Sequence, residues 1–358
     1  MNVRHMSRRG REAVIVVLLS IAWGAVGLGA GASPRPSGGK AHVPLDEWAA
    51  AHGLAPAKGR RSLVRFADWA LGWTGLAGGA DRWLSLAGPY AQLTLYPESR
   101  RAGFNGHLVW LNEELARRNG QWALSPTDAE FVLDPLLNPE AHLHSAGHNV
   151  VVLDPGHGGA DQGAVSGDGS PEKEFTLDLA RRMRVQLSHA GLKVWLTRDN
   201  DRKIDLSKRC RKAAEWEADL FVSLHANQAA NREAQGAETY VLPATGSPST
   251  SNEKPSELAR EAYPGNRHDA ANTVLGYAVQ SALLKETGAV DRGLKRARFV
   301  VLREAPCPAV LVECGFLSNE EEAARLESEA YREQLAQSLS RGVLEYVRLV
   351  RQARVREP

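Results

Sequence analysis

Three cysteines in 358 residues are too few for a disulfide scaffold, and cysteines this sparse are usually small core residues. Cys307 and Cys314 could still pair in an oxidising compartment, which would leave Cys210 alone in a helix. Charge of one sign is also missing. The formal net charge is +2. Residues 1–32 contribute Arg4, Arg8, Arg9, Arg11 and Glu12, and the remainder holds 40 basic against 41 acidic residues, a net charge of −1. Without a basic excess to neutralise a phosphate backbone, nucleic acid is excluded as a partner. No internal repeat is present. There is no Gly-x-Ser-x-Gly elbow, Walker loop, Gly-x-Gly-x-x-Gly or His-Glu-x-x-His, so serine hydrolase, nucleotide enzyme and zincin readings lack their parts. What the chain does have is 43% hydrophobic and 24% charged residues, enough to bury a sizeable core, which rules out wholesale disorder.

Residues 1–12 are basic, and Ala13 to Ala32 is uncharged and mostly apolar. Gly24, Gly27, Gly29 and Gly31 break up its second half, and Ala30-Gly31-Ala32 before Ser33-Pro34 is a small-x-small cleavage pattern. We read 1–32 as a signal peptide cut after Ala32. The competing reading is an uncleaved anchor, since about 20 apolar residues suffice to span a bilayer. Ser7-Arg8-Arg9 is only a weak pointer to twin-arginine export. Membrane contact is expected through this segment alone, and the chain is expected outside the cytoplasm, in the periplasm ahead of the cell wall or extracellular space.

Residues 33–41 form a Pro/Gly/Ser linker, 42–140 an accessory α+β domain, 141–148 a second linker and 149–351 the catalytic domain. The accessory part has a short helical pattern at 45–52, strand-like runs at 90–96 and 107–111, and an acidic stretch at 125–131. Its Trp69, Trp73 and Trp83 are read as core, with a sugar-stacking surface as the alternative. His142, His144 and His148 are read as solvated linker residues ahead of a metal cluster. From Asn149 strands and helices alternate. Strands are expected at 150–154, 194–197, 219–224, 238–242, 299–302 and 309–313, and helices at 172–189, 206–216, 270–284 and 331–350. Alternation of this kind gives an α/β sheet with helices on both faces. Between Pro243 and Arg267 lies a long polar loop.

In such sheets the site forms where chain leaves the carboxyl ends of strands. Three apolar runs end in chemistry: Val150 to Leu153 is followed by Asp154-Pro155-Gly156-His157-Gly158-Gly159, Leu220 to Leu224 by His225-Ala226-Asn227, and Val310 to Val312 by Glu313-Cys314-Gly315. A hydrolytic zinc ion needs about three nitrogen or oxygen ligands and an open position for water. His157 and His225 supply two, and Glu172, opening a helix after the glycine-rich loop, could supply the third. Read singly, each has a plainer role, as a core histidine or a helix-dipole partner. Glu313, leaving an apolar strand, suits a general base whose carboxyl is raised by partial desolvation; its competing role is pairing with Arg303.

The motifs Asp154 to Gly159, Pro171-Glu172-Lys173-Glu174, Thr197-Arg198, Ser223-Leu224-His225-Ala226-Asn227 and Val312-Glu313-Cys314-Gly315-Phe316-Leu317-Ser318-Asn319 together resemble the zinc-dependent N-acetylmuramoyl-L-alanine amidases of the amidase-3 type, over about 149–350. The resemblance implies a mixed, twisted six-stranded sheet flanked by helices, and one zinc ion held by His157, Glu172 and His225. It further implies Glu313 as the catalytic base, Asn227 as a substrate-orienting residue, and peptidoglycan as substrate, cut between N-acetylmuramic acid and L-alanine. Some relatives carry, where Pro243 to Arg267 falls, a helix that blocks the zinc until an activator protein removes it; Glu261 or His268 could reach the metal from that loop. Residues 93–111 resemble the copper amine oxidase N-terminal-like domain, without copper ligands. A zinc peptidase and a non-catalytic wall-binding module are the alternatives.

Overall fold

The computed structural model describes residues 15–17, 42–53, 83–87, 91–118, 120–143, 147 and 149–356. Expectations for the rest of 1–41, for Trp69 and Trp73 and for His144 and His148 lie outside the described residues. The N-terminal part contains β1 (Ile15–Val17), β2 (Val43–Pro44), α1 (Leu45–Ala51), β3 (Leu84–Ala87), β4 (Gln92–Leu95), β5 (Arg101–Phe104), β6 (His107–Trp110), β7 (Ala116–Arg118), β8 (Gln121–Leu124), α2 (Pro126–Asp128) and α3 (Asp134–Leu137). Then follow β9 (Val150–Pro155), α4 (Glu172–His189), β10 (Lys193–Leu196), α5 (Leu206–Glu215), β11 (Leu220–Asn227), β12 (Ala237–Val241), α6 (Asp269–Thr287), β13 (Asp291–Arg296), α7 (Val300–Arg303), β14 (Ala309–Phe316), α8 (Glu320–Glu327) and α9 (Glu329–Arg356). No described helix is long and apolar enough to cross a membrane.

One large sheet runs β1-β3-β4-β5-β6-β13-β12-β14-β11-β9-β10, and β2, β8 and β7 form a small second sheet. The six strands from β13 to β10 are the expected mixed unit, parallel throughout except for β12 against β14. Its central strands are continuous apolar runs because both faces are covered. Successive residues then serve opposite cores. Val151, Leu153, Leu220, Val222, Val310 and Val312 pack with Leu179, Met183, Leu275, Val279, Leu339 and Val343 from α4, α6 and α9. Val152, Phe221, Ala309 and Leu311 pack with Cys210, Ala213, Val301 and Leu302 from α5 and α7. On α4 the buried Phe175, Leu179, Met183 and Leu187 recur at every fourth position, the stripe that presses this helix onto the sheet.

Of the elements that differ from expectation, two bear on the sheet that carries the site. Residues 299–302, read as a strand, form the end cap and body of α7: Phe299 is extended and 40% exposed, whereas the consecutive Val301 and Leu302 are buried. Four apolar residues are too few to distinguish strand from helix by period. The strand in this stretch is instead β13, Asp-Arg-Gly-Leu-Lys-Arg, whose polar composition hides it.

The six-stranded unit does not end at β13. Strand β6 pairs with it in parallel, Val109 beside Leu294, so the accessory strands prolong the sheet and cover what would be a bare edge. Gly293 sits at this junction with φ +93°, and a Cβ there would fall 2.8 Å from Leu108 Cγ. The seam is stitched by Leu108 N donating to Asp291 at 2.7 Å, Tyr277 OH to the Phe104 carbonyl at 3.0 Å and Arg296 Nε to the Trp110 carbonyl at 3.1 Å. All three cysteines are buried and unpaired.

Candidate functional site

The carboxyl ends of β9, β11 and β14 lie side by side, so His157, His225 and Glu313 leave the sheet at one edge. Helix α4 begins at Glu172 and delivers that carboxylate back over β11. Glu172 is buried, with Oε1 2.8 Å from His225 Nδ1 and Oε2 3.1 Å from His157 Nε2. The ligand atoms of the three residues lie within 4.8 Å of one another, and the two imidazole rings meet edge to face with centroids 5.0 Å apart. Backbone amides of Ala164 (2.8 Å) and Ala226 (3.0 Å) donate to the same carboxylate. Burial alone would push the Glu172 carboxyl up, but the hydrogen bonds and charges of His157 and His225 outweigh it and hold it well below the usual range.

Glycine makes this convergence sterically feasible. A Cβ on Gly156 would penetrate the His225 ring, and one on Gly163, at φ +70°, would collide with the Glu172 carboxylate and the His157 ring. His157 itself sits at φ +60°, a left-handed conformation that a non-glycine residue holds only when its surroundings enforce it. Two buried arginines do so. Arg209 donates to the carbonyls of His157 (2.8 Å), Pro155 (2.7 Å) and Ile204 (3.1 Å) and to Asp154 Oδ1 (2.8 Å). Arg198 donates to the carbonyls of Pro155 (3.0 Å), Gly156 (2.7 Å) and Lys173 (2.8 Å). Burial, with the like charge of Arg209, pushes Arg198 down to about 10, still charged at neutral pH. The buried Asp154 is satisfied by Arg209, Thr197 Oγ1 at 2.5 Å and Ser223 Oγ at 2.8 Å.

Glu313 is the one half-buried residue of an otherwise buried β14. It pairs across the ladder with His225 on one side and Glu238 on the other. Its Oε2 is enclosed with no hydrogen-bond partner among the described residues. Arg303, the alternative partner, instead lies over the Tyr263 ring at 5.1 Å. Loss of water first, then the charges of Glu172 and Glu238, push the Glu313 carboxyl well above its ordinary range, with Lys295 opposing. Asn227 Nδ2 donates to Glu238 Oε1 at 2.9 Å, so it faces the Glu238 cluster, where Arg292 (2.7 Å), Lys295 and Tyr240 OH (2.7 Å) also converge.

Three functional side chains escape motif reading. Asp161 Oδ1 accepts from His157 Nδ1 at 2.8 Å, the outer contact that fixes an imidazole's tautomer and leaves its other nitrogen for a metal; its place four residues after His157 is the clue. Arg209 and Glu238 are the others. Glu261 and His268 are engaged elsewhere: Tyr263 OH donates to Glu261 at 3.1 Å, and His268 Nε2 lies 3.1 Å from the Pro306 carbonyl.

Two imidazole nitrogens and a carboxylate make a donor set that fits zinc, whereas calcium and magnesium select oxygen. The side chains of His157 and His225 retain 24% and 18% exposure, leaving a face from which substrate can approach.

A family model described as N-acetylmuramoyl-L-alanine amidase matches residues 151–345. The chain is 35% identical over 199 residues to N-acetylmuramoyl-L-alanine amidase LytC of Bacillus subtilis (strain 168), an alignment covering 55% of this chain but only 35% of that protein. It is 35% identical over 223 residues to AmiA of Escherichia coli (strain K12), covering 56% of this chain and 77% of that one. The catalytic domain of CwlV from Bacillus (Paenibacillus) polymyxa var. colistinus aligns with TM-score 0.47 and 32% identity over 56% of this chain and 98% of that one.

Proposed function

The chain belongs to the N-acetylmuramoyl-L-alanine amidase family of the amidase-3 type, and from that premise we propose that it is an exported, zinc-dependent enzyme that cleaves the amide between N-acetylmuramic acid and L-alanine in peptidoglycan. The observation that carries this is the convergence of His157, Glu172 and His225 within 4.8 Å, with Glu313 in register beside His225. In this reading 149–351 is the catalytic unit, 42–140 an accessory part, 1–32 an export signal whose cleavage takes β1 from the far edge of the sheet beside β3, and the periplasm the working compartment. An activator protein belongs to the same reading as a partner.

His157, Glu172 and His225 would hold one zinc ion, which when bound polarises the scissile carbonyl and acidifies water at the site. The chain's own residues do the rest. Glu313, its Oε2 without a partner among the described residues, takes a proton from the attacking water and passes it to the nitrogen of the departing L-alanine, completing both proton transfers with one carboxylate. Its raised carboxyl matches a base that must also act as an acid near neutral pH. Asp161 holds the His157 ring, and Arg198 and Arg209 keep the ligand loop in its left-handed turn. Asn227 orients substrate at the Glu238 side of the cleft.

The test is mass spectrometry of fragments released from purified peptidoglycan by the chain, by Glu313→Gln and by a chelated sample. The expected result is free stem peptides beginning at L-alanine, absent from both controls and restored to the chelated sample by zinc. Shortened peptides still attached to muramic acid would replace this reading with a peptidase, and no release with a binding role.

A further inference from the structure

The loop that follows β10 and the adjoining turns of α5 line an open, solvent-facing depression of about 420 Å³. Its wall carries five cations, Arg202, Lys203, Lys208, Arg211 and Lys212, against two carboxylates, a local charge of +3. Lys208 is neutralised by Asp205 at 2.8 Å, and Lys212 lies over the Trp216 ring at 4.7 Å. Arg202, Lys203 and Arg211 have no ion pair among the described residues. Asp201, the nearest acid before this wall, is already committed to Lys173 and to the Gly159 amide, both at 2.7 Å.

This basic depression is physically joined to the cage. Arg209 spans them, donating to the carbonyl of Ile204 in the wall of the depression at 3.1 Å and to the carbonyl of His157 at 2.8 Å. The Lys203 backbone packs so tightly on the His157 loop that a Cβ on Gly159 would fall 2.8 Å from the Lys203 amide nitrogen. The cage and the Arg202–Asp205 part of the depression follow the carboxyl ends of β9 and β10, the edge where an α/β sheet receives its ligand.

A concave site lined by one sign of charge concentrates ligands of the other sign. Of the two halves of a muramoyl-peptide, the glycan offers neutral hydroxyl and N-acetyl groups, while the peptide carries free carboxylates. We propose that this depression is the subsite for the carboxylates of the peptide half, with Arg202 and Arg211 as the recognition groups; this rests on the amidase reading. Guanidinium forks suit carboxylates because both oxygens can be engaged at once.

The test uses the full, zinc-loaded chain on two muramoyl-peptides, one with free side carboxylates and one with the same groups amidated. The wild type is expected to favour the free acid. The double variant Arg202→Gln/Arg211→Gln is expected to raise KM for the free acid about three- to tenfold, the range for partly exposed ion pairs, with kcat retained and the preference erased. Arg202→Lys/Arg211→Lys, which keeps the charge, should restore part of it. An unchanged preference in the Gln variant would overturn the proposal while leaving the amidase reading intact. If neither substrate is cut, the amidase reading fails; calorimetric titration of the free stem peptide into wild type and the Gln variant then decides the subsite, equal binding or none overturning it. Titration of a phosphodiester-linked wall polymer that binds in place of the peptide would also overturn it.

Discussion

Glu172 and Glu313 are both carboxylates near the end of the same sheet, and their surroundings drive them in opposite directions. Glu172 lies among imidazoles and backbone amides, so it stays ionised and suits a cation. Glu313 lies among apolar strand residues and other carboxylates, so it holds a proton more readily. Pairs of titratable groups whose environments push them apart mark a division of labour, one group for charge and one for proton transfer. The scaffolds differ too: the ligand loop is clamped by two buried arginines, whereas Glu313 is placed by strand register alone.

The sharpest way to break this comparison is to neutralise each carboxylate. Glu172→Gln and Glu313→Gln are both expected to lower kcat, Glu313→Gln by about 10²- to 10⁴-fold, the usual weight of a general base. Only Glu172→Gln should also lose bound zinc, read by elemental analysis. Next in size is the clamp. Arg209→Met leaves Asp154 buried and short of its cation, and breaking such a pair costs about 3–5 kcal/mol; urea unfolding should report this, and an equally stable variant would refute the clamp. Asp161→Ala, which releases the His157 ring, is expected to weaken zinc affinity about 10- to 100-fold, measured by competition with a chelating dye, with the fold intact. The smallest effect is on pH. Activity requires ionised Glu313, so it should fall as pH drops through a carboxyl raised above the ordinary range. Lys295 pulls that carboxyl down, so Lys295→Met should move the acid limb of the kcat profile to higher pH. A limb that stays put or moves lower would remove Glu313 from that step.

The same contrast explains what could be read from sequence. Strands β9, β11 and β14 are legible because central parallel strands bury both faces and become unbroken apolar runs, and the chemistry sits where those runs stop. Strand β13 is not, because its buried positions are Gly293, Leu294 and Arg296, with the arginine held by the Trp110 carbonyl. The short run at 299–302 carried hydrophobicity without a period. Asp161 and Arg209 were hidden by composition. Arg209 lies in the basic run from Lys208 to Lys212, and only its helical spacing from buried Ala213 distinguishes the one basic residue that turns inward. The continuation of the sheet into β6 rests on Leu294 beside Val109, a pairing between distant segments that no local pattern encodes.

The most direct test of the account is the zinc content of purified Glu313→Gln alongside its activity on peptidoglycan. The division of labour predicts about one zinc per chain, as in the wild type, with stem-peptide release nearly abolished. Zinc lost together with activity would make Glu313 part of the cage, and release at the wild-type rate would show that another group moves the proton.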